Sequence, residues 1–157
     1  MSIERARLHL AKYGMADRIL EFEVSSATVA LAAEAVGTSP ERIAKTLSFM
    51  IGDEPILIVA AGDAKVDNRK YKDTFRTKAK MIAFDDVERL IGHAVGGVCP
   101  FGINEGVRVY LDRSLCRFNT VFPAAGTSAS AIELALSELE LASGYTEWVD
   151  VTSIPTL

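Results

Sequence analysis

The stretch Leu47-Ser48-Phe49-Met50-Ile51-Gly52-Asp53-Glu54-Pro55-Ile56-Leu57-Ile58-Val59-Ala60-Ala61 decides the fold class. Leu47, Phe49 and Ile51 alternate with Thr46, Ser48 and Met50, the period of a strand with two unlike faces. Gly52-Asp53-Glu54-Pro55 carries turn chemistry, and Ile56 to Ala61 is a continuous apolar run of the kind a fully buried strand shows. Together they predict a tight antiparallel hairpin.

Upstream, Ile3, Ala6, Leu10 and Tyr13 recur at helical spacing, with Ser2 as a cap and Gly14 as a stop. Ile19 to Val24 reads as a strand and the alanine-rich Ala27 to Val36 as a short helix ended by Gly37. Ser39 and Pro40 open a further turn of helix that delivers Lys45 to the first hairpin strand. Downstream, Asp67 caps a helix through Phe75, Lys80 to Phe84 reads as a strand, and Asp85 caps a helix ending at Gly92. Val107 to Leu111, Thr120 to Ala125 and Ala131 to Leu136 have strand character. Ser137 caps a helix ending near Gly144, and Glu147 to Val151 closes the sheet. Many short strands, one tight hairpin and irregular helical insertions predict an α/β protein with a mixed, curled, barrel-like sheet and surrounding short helices, not a doubly wound parallel sheet.

With 157 residues, 17.0 kDa, 49% hydrophobic and 24% charged residues, the chain fits one domain spanning 1–157. Its longest apolar runs, Pro55 to Ala61 and Ala27 to Ala33, fall well short of the roughly 20 residues that cross a bilayer. Met1 to Lys12 holds no continuous apolar core of a secretory signal, so a cytosolic chain with no membrane partner is expected. A net charge of −4 argues against coating nucleic acid through overall charge, so any such contact must be local. Cys99 and Cys116 match no metal-ligand spacing and only two histidines accompany them, so neither a metal nor a cofactor is expected and both thiols read as reduced.

The loop Gly92-His93-Ala94-Val95-Gly96-Gly97-Val98-Cys99-Pro100-Phe101-Gly102 is the most unusual stretch. Such glycines serve a tight helix-to-strand connection, or they bring bare backbone N–H groups close to a carbonyl or oxyanion. No Gly-Lys-Ser/Thr ending follows, so nucleotide binding gains little support. His93 reads as a proton shuttle, a hydrogen-bond donor or a structural histidine, and a Cys99/His93 nucleophilic pair ranks below a backbone-driven mechanism. Lys45 is at first sight a solvated charge at a helix end, lifted by the polar side of Thr46, Ser48 and Met50 that continues from it toward a cleft. Lys65, Arg69, Lys70, Lys72, Arg76, Lys78 and Lys80 form a basic island in an acidic protein, either a solvated helix face or a grip on phosphates of a nucleic-acid end. Tyr71 and Phe75 read as core anchors on that helix.

Val36-Gly37, Ile43-Ala44-Lys45-Thr46-Leu47, Ala61-Gly62-Asp63 with Val66-Asp67, and Gly96-Gly97-Val98-Cys99-Pro100-Phe101-Gly102 follow one another in a recognisable order. Val109-Tyr110-Leu111-Asp112, Ser114-Leu115, Ala125-Gly126 and Ile132-Glu133-Leu134 extend it nearly end to end. In this order the chain resembles the YbaK/prolyl-tRNA synthetase-associated domain family. The resemblance implies a compact α/β editing fold. It also implies trans-acting hydrolysis of the ester joining a wrong amino acid to tRNA, typically tRNA for proline, with help from the substrate's own 2′-hydroxyl. Lys45 matches the family's lysine, and Gly96 and Pro100 match its Gly-x-x-x-Pro loop.

On that footing the expected catalytic set is Lys45, Gly96, Gly97 and Pro100. Thr46, Ser48, His93, Val98, Cys99, Lys65, Arg69, Lys70 and Lys72 are expected to bind substrate. The expected partners are the acceptor end of aminoacyl-tRNA and a prolyl-tRNA synthetase. A catalytically silent tRNA-end or synthetase-binding module of the same fold is the alternative, and a metabolite-binding regulatory domain with an anion nest in the glycine loop is a third reading.

Overall fold

The hairpin forms as its alternation dictates, with Lys45 opposite Ala60, Leu47 opposite Ile58 and Ile51 opposite Glu54, so Gly52 and Asp53 alone make the turn. Gly52 adopts φ 61°, the left-handed conformation a two-residue hairpin turn requires. The computed structural model describes residues 2–23 and 28–155, apart from the side chain of Ser2.

In chain order the elements are α1 (Ser2–Ala11), β1 (Leu20–Glu21), α2 (Val29–Val36), β2 (Ile43–Ile51), β3 (Glu54–Ala61), β4 (Lys65–Val66) and α3 (Asn68–Phe75). After them come α4 (Val87–Ile91), β5 (Arg108–Asp112), β6 (Thr120–Pro123), β7 (Ser130–Ala131), β8 (Leu134–Ala135), α5 (Leu136–Ser143), β9 (Glu147–Val149) and β10 (Thr152–Ser153). The main sheet runs β8-β6-β2-β3-β5-β9. It is mixed and curled into a half barrel, antiparallel at β2/β3 and β6/β8 and parallel at β2/β6, β3/β5 and β5/β9.

The strand β3 is covered on both faces, which is why its sequence is unbroken apolar. Leu57, Val59 and Ala61 join Val109 and Leu111 beneath α1, α4 and α5 through Ala6, Leu10, Ile91 and Leu139. Ile56 and Ile58 face the other way, with Phe49, Tyr110 and Tyr71 of α3. A smaller cluster of Ala33, Ile43 and Phe122 seats α2 on the sheet. Tyr71 and Phe75 are core anchors, with ring centroids 4.8 Å apart and Phe49 5.1 Å from Tyr71. Each buried aliphatic side chain of this kind contributes about 1.5–3 kcal/mol.

Several boundaries differ from the sequence reading. The strand from Ile19 shrinks to Leu20–Glu21, paired with Ser130 and Ala131; Val24 and Ala27 lie outside the described residues. Thr28 is the N-cap of α2, its hydroxyl accepting from the Leu31 N–H. Helix α1 starts at Ser2 itself, and Ser39 caps no side-chain bond ahead of the Pro40–Arg42 turn. Lys80 to Phe84 is not a strand: one bridge, Phe49 to Met81, is formed, and the chain then turns into a 3-10 segment, Phe84–Asp86. Asp86 rather than Asp85 precedes α4, and Ala135 rather than Ser137 precedes α5, with the Glu138 carboxylate accepting the Ala135 N–H at 2.9 Å. The stretch Ala131 to Leu136 splits between β7 and β8. The late chain likewise divides, β9 closing the sheet while β10 pairs with β4. Among the described residues no helix is long and apolar enough to cross a membrane.

Candidate active site

The outer edge of β2 is paired twice. Ile43 and Ala44 pair with Phe122 and Pro123 of β6, and the edge is met again where the Ile82 N–H donates to Ser48 O and the Met50 N–H to Lys80 O. Between these two pairings the strands part, and a cavity of about 390 Å³ opens there. Its walls come from both faces of β2, from the start of α2, from Ala124 and the 127–131 segment after β6, from the Met81–Val87 segment and from the glycine loop.

Lys45, Thr46 and Ser48 all border this cavity, although strand alternation puts Lys45 with Leu47 and Phe49 on one face and Thr46 and Ser48 on the other. The polar side therefore does not continue from Lys45; the open edge of the strand is what lets both faces reach one space. The Lys45 ammonium is half buried and donates to Ala64 O and, at 3.3 Å, to Gly62 O. Burial lowers its pKa below the ordinary lysine range; the nearby Asp63 carboxylate opposes that shift and Lys65 adds to it. Asp63 is itself gripped by Arg117 through two contacts of 3.0 and 2.6 Å. The Thr46 hydroxyl is buried without a hydrogen-bond partner.

The glycine loop divides into residues that meet the cavity and residues that hold the loop. Gly96 and Val98 line the cavity, Gly96 at φ 95°. Gly97 does not border it: its N–H donates to Ala94 O at 3.0 Å, and a Cβ there would come within 2.6 Å of Thr127 Cα. The Gly97 N–H is thus taken up within the loop, and the missing side chain serves close packing on the Gly126–Thr127 backbone. Pro100 is buried and likewise off the cavity.

His93 and Cys99 are fully buried, outside the cavity wall. The His93 Nε2 lies 2.6 Å from Phe101 O, and since a carbonyl can only accept, Nε2 carries the proton. Its Nδ1 has no partner, and burial lowers the ring's pKa. The Cys99 Sγ lies 3.5 Å from His93 Nε2, but burial pushes its thiol up to about 12, which keeps it protonated. The loop turns both side chains inward as core, away from the cavity wall.

The basic island also stands apart from the cavity. Lys65, Arg69 and Lys72 are exposed, and Arg69 and Lys72 flank a separate depression with Asn68, Lys78 and Ala79. The Lys70 ammonium is taken up by Asp150 at 3.1 Å and Thr152 O at 2.8 Å. Sequence reasoning missed the cavity's far wall: the N-cap Thr28 with Val29 and Ala32 of α2, and Thr127, Ser128, Ser130 and Ala131 after β6. The small hydroxyl run Thr127 to Ser130 was the available signal. The Ser130 hydroxyl accepts from the Ala125 and Thr127 N–H groups at 3.2 Å each, which fixes the shape of that wall. Among the described residues no group of three or more His, Cys, Asp or Glu side chains is arranged to hold a metal ion.

Residues 23–141 match the family model for an aminoacyl-tRNA editing domain. The uncharacterized protein YwhH of Bacillus subtilis (strain 168) is 52% identical over 152 residues, which take in 96% of this chain and 97% of that protein. A proline–tRNA ligase of Geobacillus kaustophilus (strain HTA426) is 28% identical over 89 residues, 56% of this chain but 16% of the ligase. The crystal structure of a candidate trans-editing enzyme for prolyl tRNA synthetase superimposes with a TM-score of 0.87 at 27% identity, covering 97% of each chain. Sequence, fold and the extent of the matches agree, and the chain belongs to the aminoacyl-tRNA editing domain family.

Proposed function

We propose that this protein is a free-standing deacylase that hydrolyses the ester between a small non-cognate amino acid and the terminal adenosine of tRNA, with tRNA for proline as the carrier. The observation that supports it most is that Lys45 and Gly96 border one cavity in a chain of the editing family.

In this reading the oxygen of a water molecule bonds to the ester carbonyl carbon, the carbonyl oxygen takes up negative charge, and the bond to the ribose oxygen then breaks. The ribose oxygen receives a proton, and the products are the amino acid and intact tRNA. The ester is already activated, so positioning and charge stabilisation supply much of the acceleration. Two of the three Lys45 ammonium donors are spent on Gly62 O and Ala64 O, which aims the third; it binds phosphate or orients the tRNA end. Gly96 offers main chain without a side chain beside the reacting carbonyl, and the substrate's 2′-hydroxyl helps place the water. Pro100 and Gly97 shape the loop. Lys65, Arg69 and Lys72 steer the acceptor stem from outside the cavity.

The test is a deacylation panel of tRNA for proline and other tRNAs charged with alanine, cysteine, serine, threonine or proline. The wild-type protein is expected to discharge at least one small non-cognate amino acid and to spare prolyl-tRNA. Lys45→Ala is expected to lower kcat/KM by roughly 100-fold, the scale of misplacing a reacting group by about 1 Å. Binding of charged tRNA with no discharge of any member of the panel would show a silent tRNA-end or synthetase-binding module instead.

A further inference from the structure

Three large apolar side chains stand exposed on the wall of the same cavity: Phe84 at 73%, Met81 at 60% and Val95 at 47% relative exposure. They come from separate places, the bridge to β2, the start of the 3-10 turn before α4, and the glycine loop. Phe84 is not exposed for want of anchoring. Ile82, two residues before it, is buried and donates its N–H to Ser48 O, and Val87, three residues after it, is buried in the main core. An aromatic ring held in water on both sides by fixed neighbours presents an open π-face.

The charge beside this ring selects what can lie on it. Asp85 and Asp86 follow Phe84 directly, and Arg89 pairs with Asp86 at 3.0 Å. Most cations that suit phosphate lie elsewhere, at Lys45 on the cavity wall and on the island around α3, whose last member, Lys80, precedes Met81. A neutral, flat group fits the Phe84 side and a phosphate does not.

We infer that Phe84, flanked by Met81 and Val95, is the stacking shelf for the base of the substrate's 3′-terminal nucleotide, which places its ribose ester over the cavity. The inference rests on the deacylase reading for the identity of the substrate. Phe84 acts as a positioning residue: it holds the nucleotide and leaves the chemistry to the groups deeper in the cavity. Sequence-tolerant stacking of this kind is what a surface needs that accepts an end shared by all tRNAs.

The experiment compares wild type, Phe84→Ala and Phe84→Tyr on mischarged minihelices ending in adenosine or in a terminal nucleotide lacking its base. Phe84→Ala is expected to raise KM roughly tenfold on the adenosine-ended substrate, with the effect in KM rather than kcat. Phe84→Tyr is expected to restore it. On the baseless substrate wild type and Phe84→Ala are expected to coincide. Equal KM values on the adenosine-ended substrate, or an equal loss on both substrates, would overturn the shelf. A binding arm with uncharged minihelix, followed by amide chemical-shift changes around residues 81–87, separates the two ideas. If the protein discharges nothing yet those shifts depend on the terminal base and on Phe84, the reaction fails and the shelf stands. A concentration-dependent dimer that Phe84→Ala abolishes would assign the shelf to a second copy and also overturn the inference.

Discussion

Lys45 combines a strand position with partial burial, and burial is the larger influence on its proton. Its cationic form therefore ends at a lower pH than that of a surface lysine. If Lys45 acts as a cation, the deacylation rate, corrected for spontaneous ester loss, falls on the alkaline side below the usual lysine range. Lys45→Arg is expected to move that limb out of the measurable window, since arginine keeps its charge throughout. At Gly97 the expectation concerns stability. Gly97→Ala drives a methyl group into the Gly126–Thr127 backbone, and thermal or urea melts should show a loss of about 1–3 kcal/mol. Lys45 was singled out in the sequence by family resemblance more than by physics, because a lysine near a helix end looks like any solvated charge. The inward placement of His93 and Cys99 was not legible for a related reason. Adjacency to glycines does not tell which side of a loop faces outward, and here the buried Phe101 carbonyl draws both inward.

Among the elements, the β2–β3 hairpin was legible because period-two alternation and a glycine turn leave one register available. The α3 helix was legible because Asp67 does what the sequence says, its carboxylate accepting from the Arg69 and Lys70 N–H groups at 3.1 Å. Asp67→Ala is expected to lower stability by about 1 kcal/mol in chemical denaturation. Caps were misplaced where candidates crowd together, as at Asp85 and Asp86, or where the bond comes from inside the helix, as Glu138 supplies it for α5. Glu138 also carries a pH signature. The Arg18 guanidinium, 2.5 Å away, and the Ala135 N–H hold its carboxyl at about 2. A depressed carboxyl stabilises the fold above its unfolded value of 4.5, and that contribution is lost as pH falls through about 2. Both side chains are partly exposed, so the amount is about 1 kcal/mol or less. Acid melts of wild type and Glu138→Gln should converge across that window, with wild type the more stable above it.

At the scale of the molecule, the strands β3 and β5 belong to both large apolar clusters, Leu57 and Val109 facing one and Ile58 and Tyr110 the other. Neither cluster can open without stripping the shared strands. Heat unfolding is expected to be a single transition, with aromatic and backbone circular dichroism changing together. The curled mixed sheet was readable from the number and shortness of the strands. The cavity was not, because it arises where β2 and β6 part company, a property of two segments nearly eighty residues apart in sequence.

Asp112 is buried and accepts from the Ser114 N–H at 2.9 Å, the Val151 N–H at 2.9 Å and the Thr152 hydroxyl at 2.7 Å, while Val151 O takes the Asp67 N–H at 2.8 Å. A ribosome delivers the hairpin long before it delivers Val151 and Thr152. Until those residues clear the exit tunnel, the Asp112 carboxylate must stay hydrated and the sheet beside it ajar. Each nascent copy therefore passes through an interval in which the hairpin and β5 are present yet unlatched, open to proteases and chaperones alike.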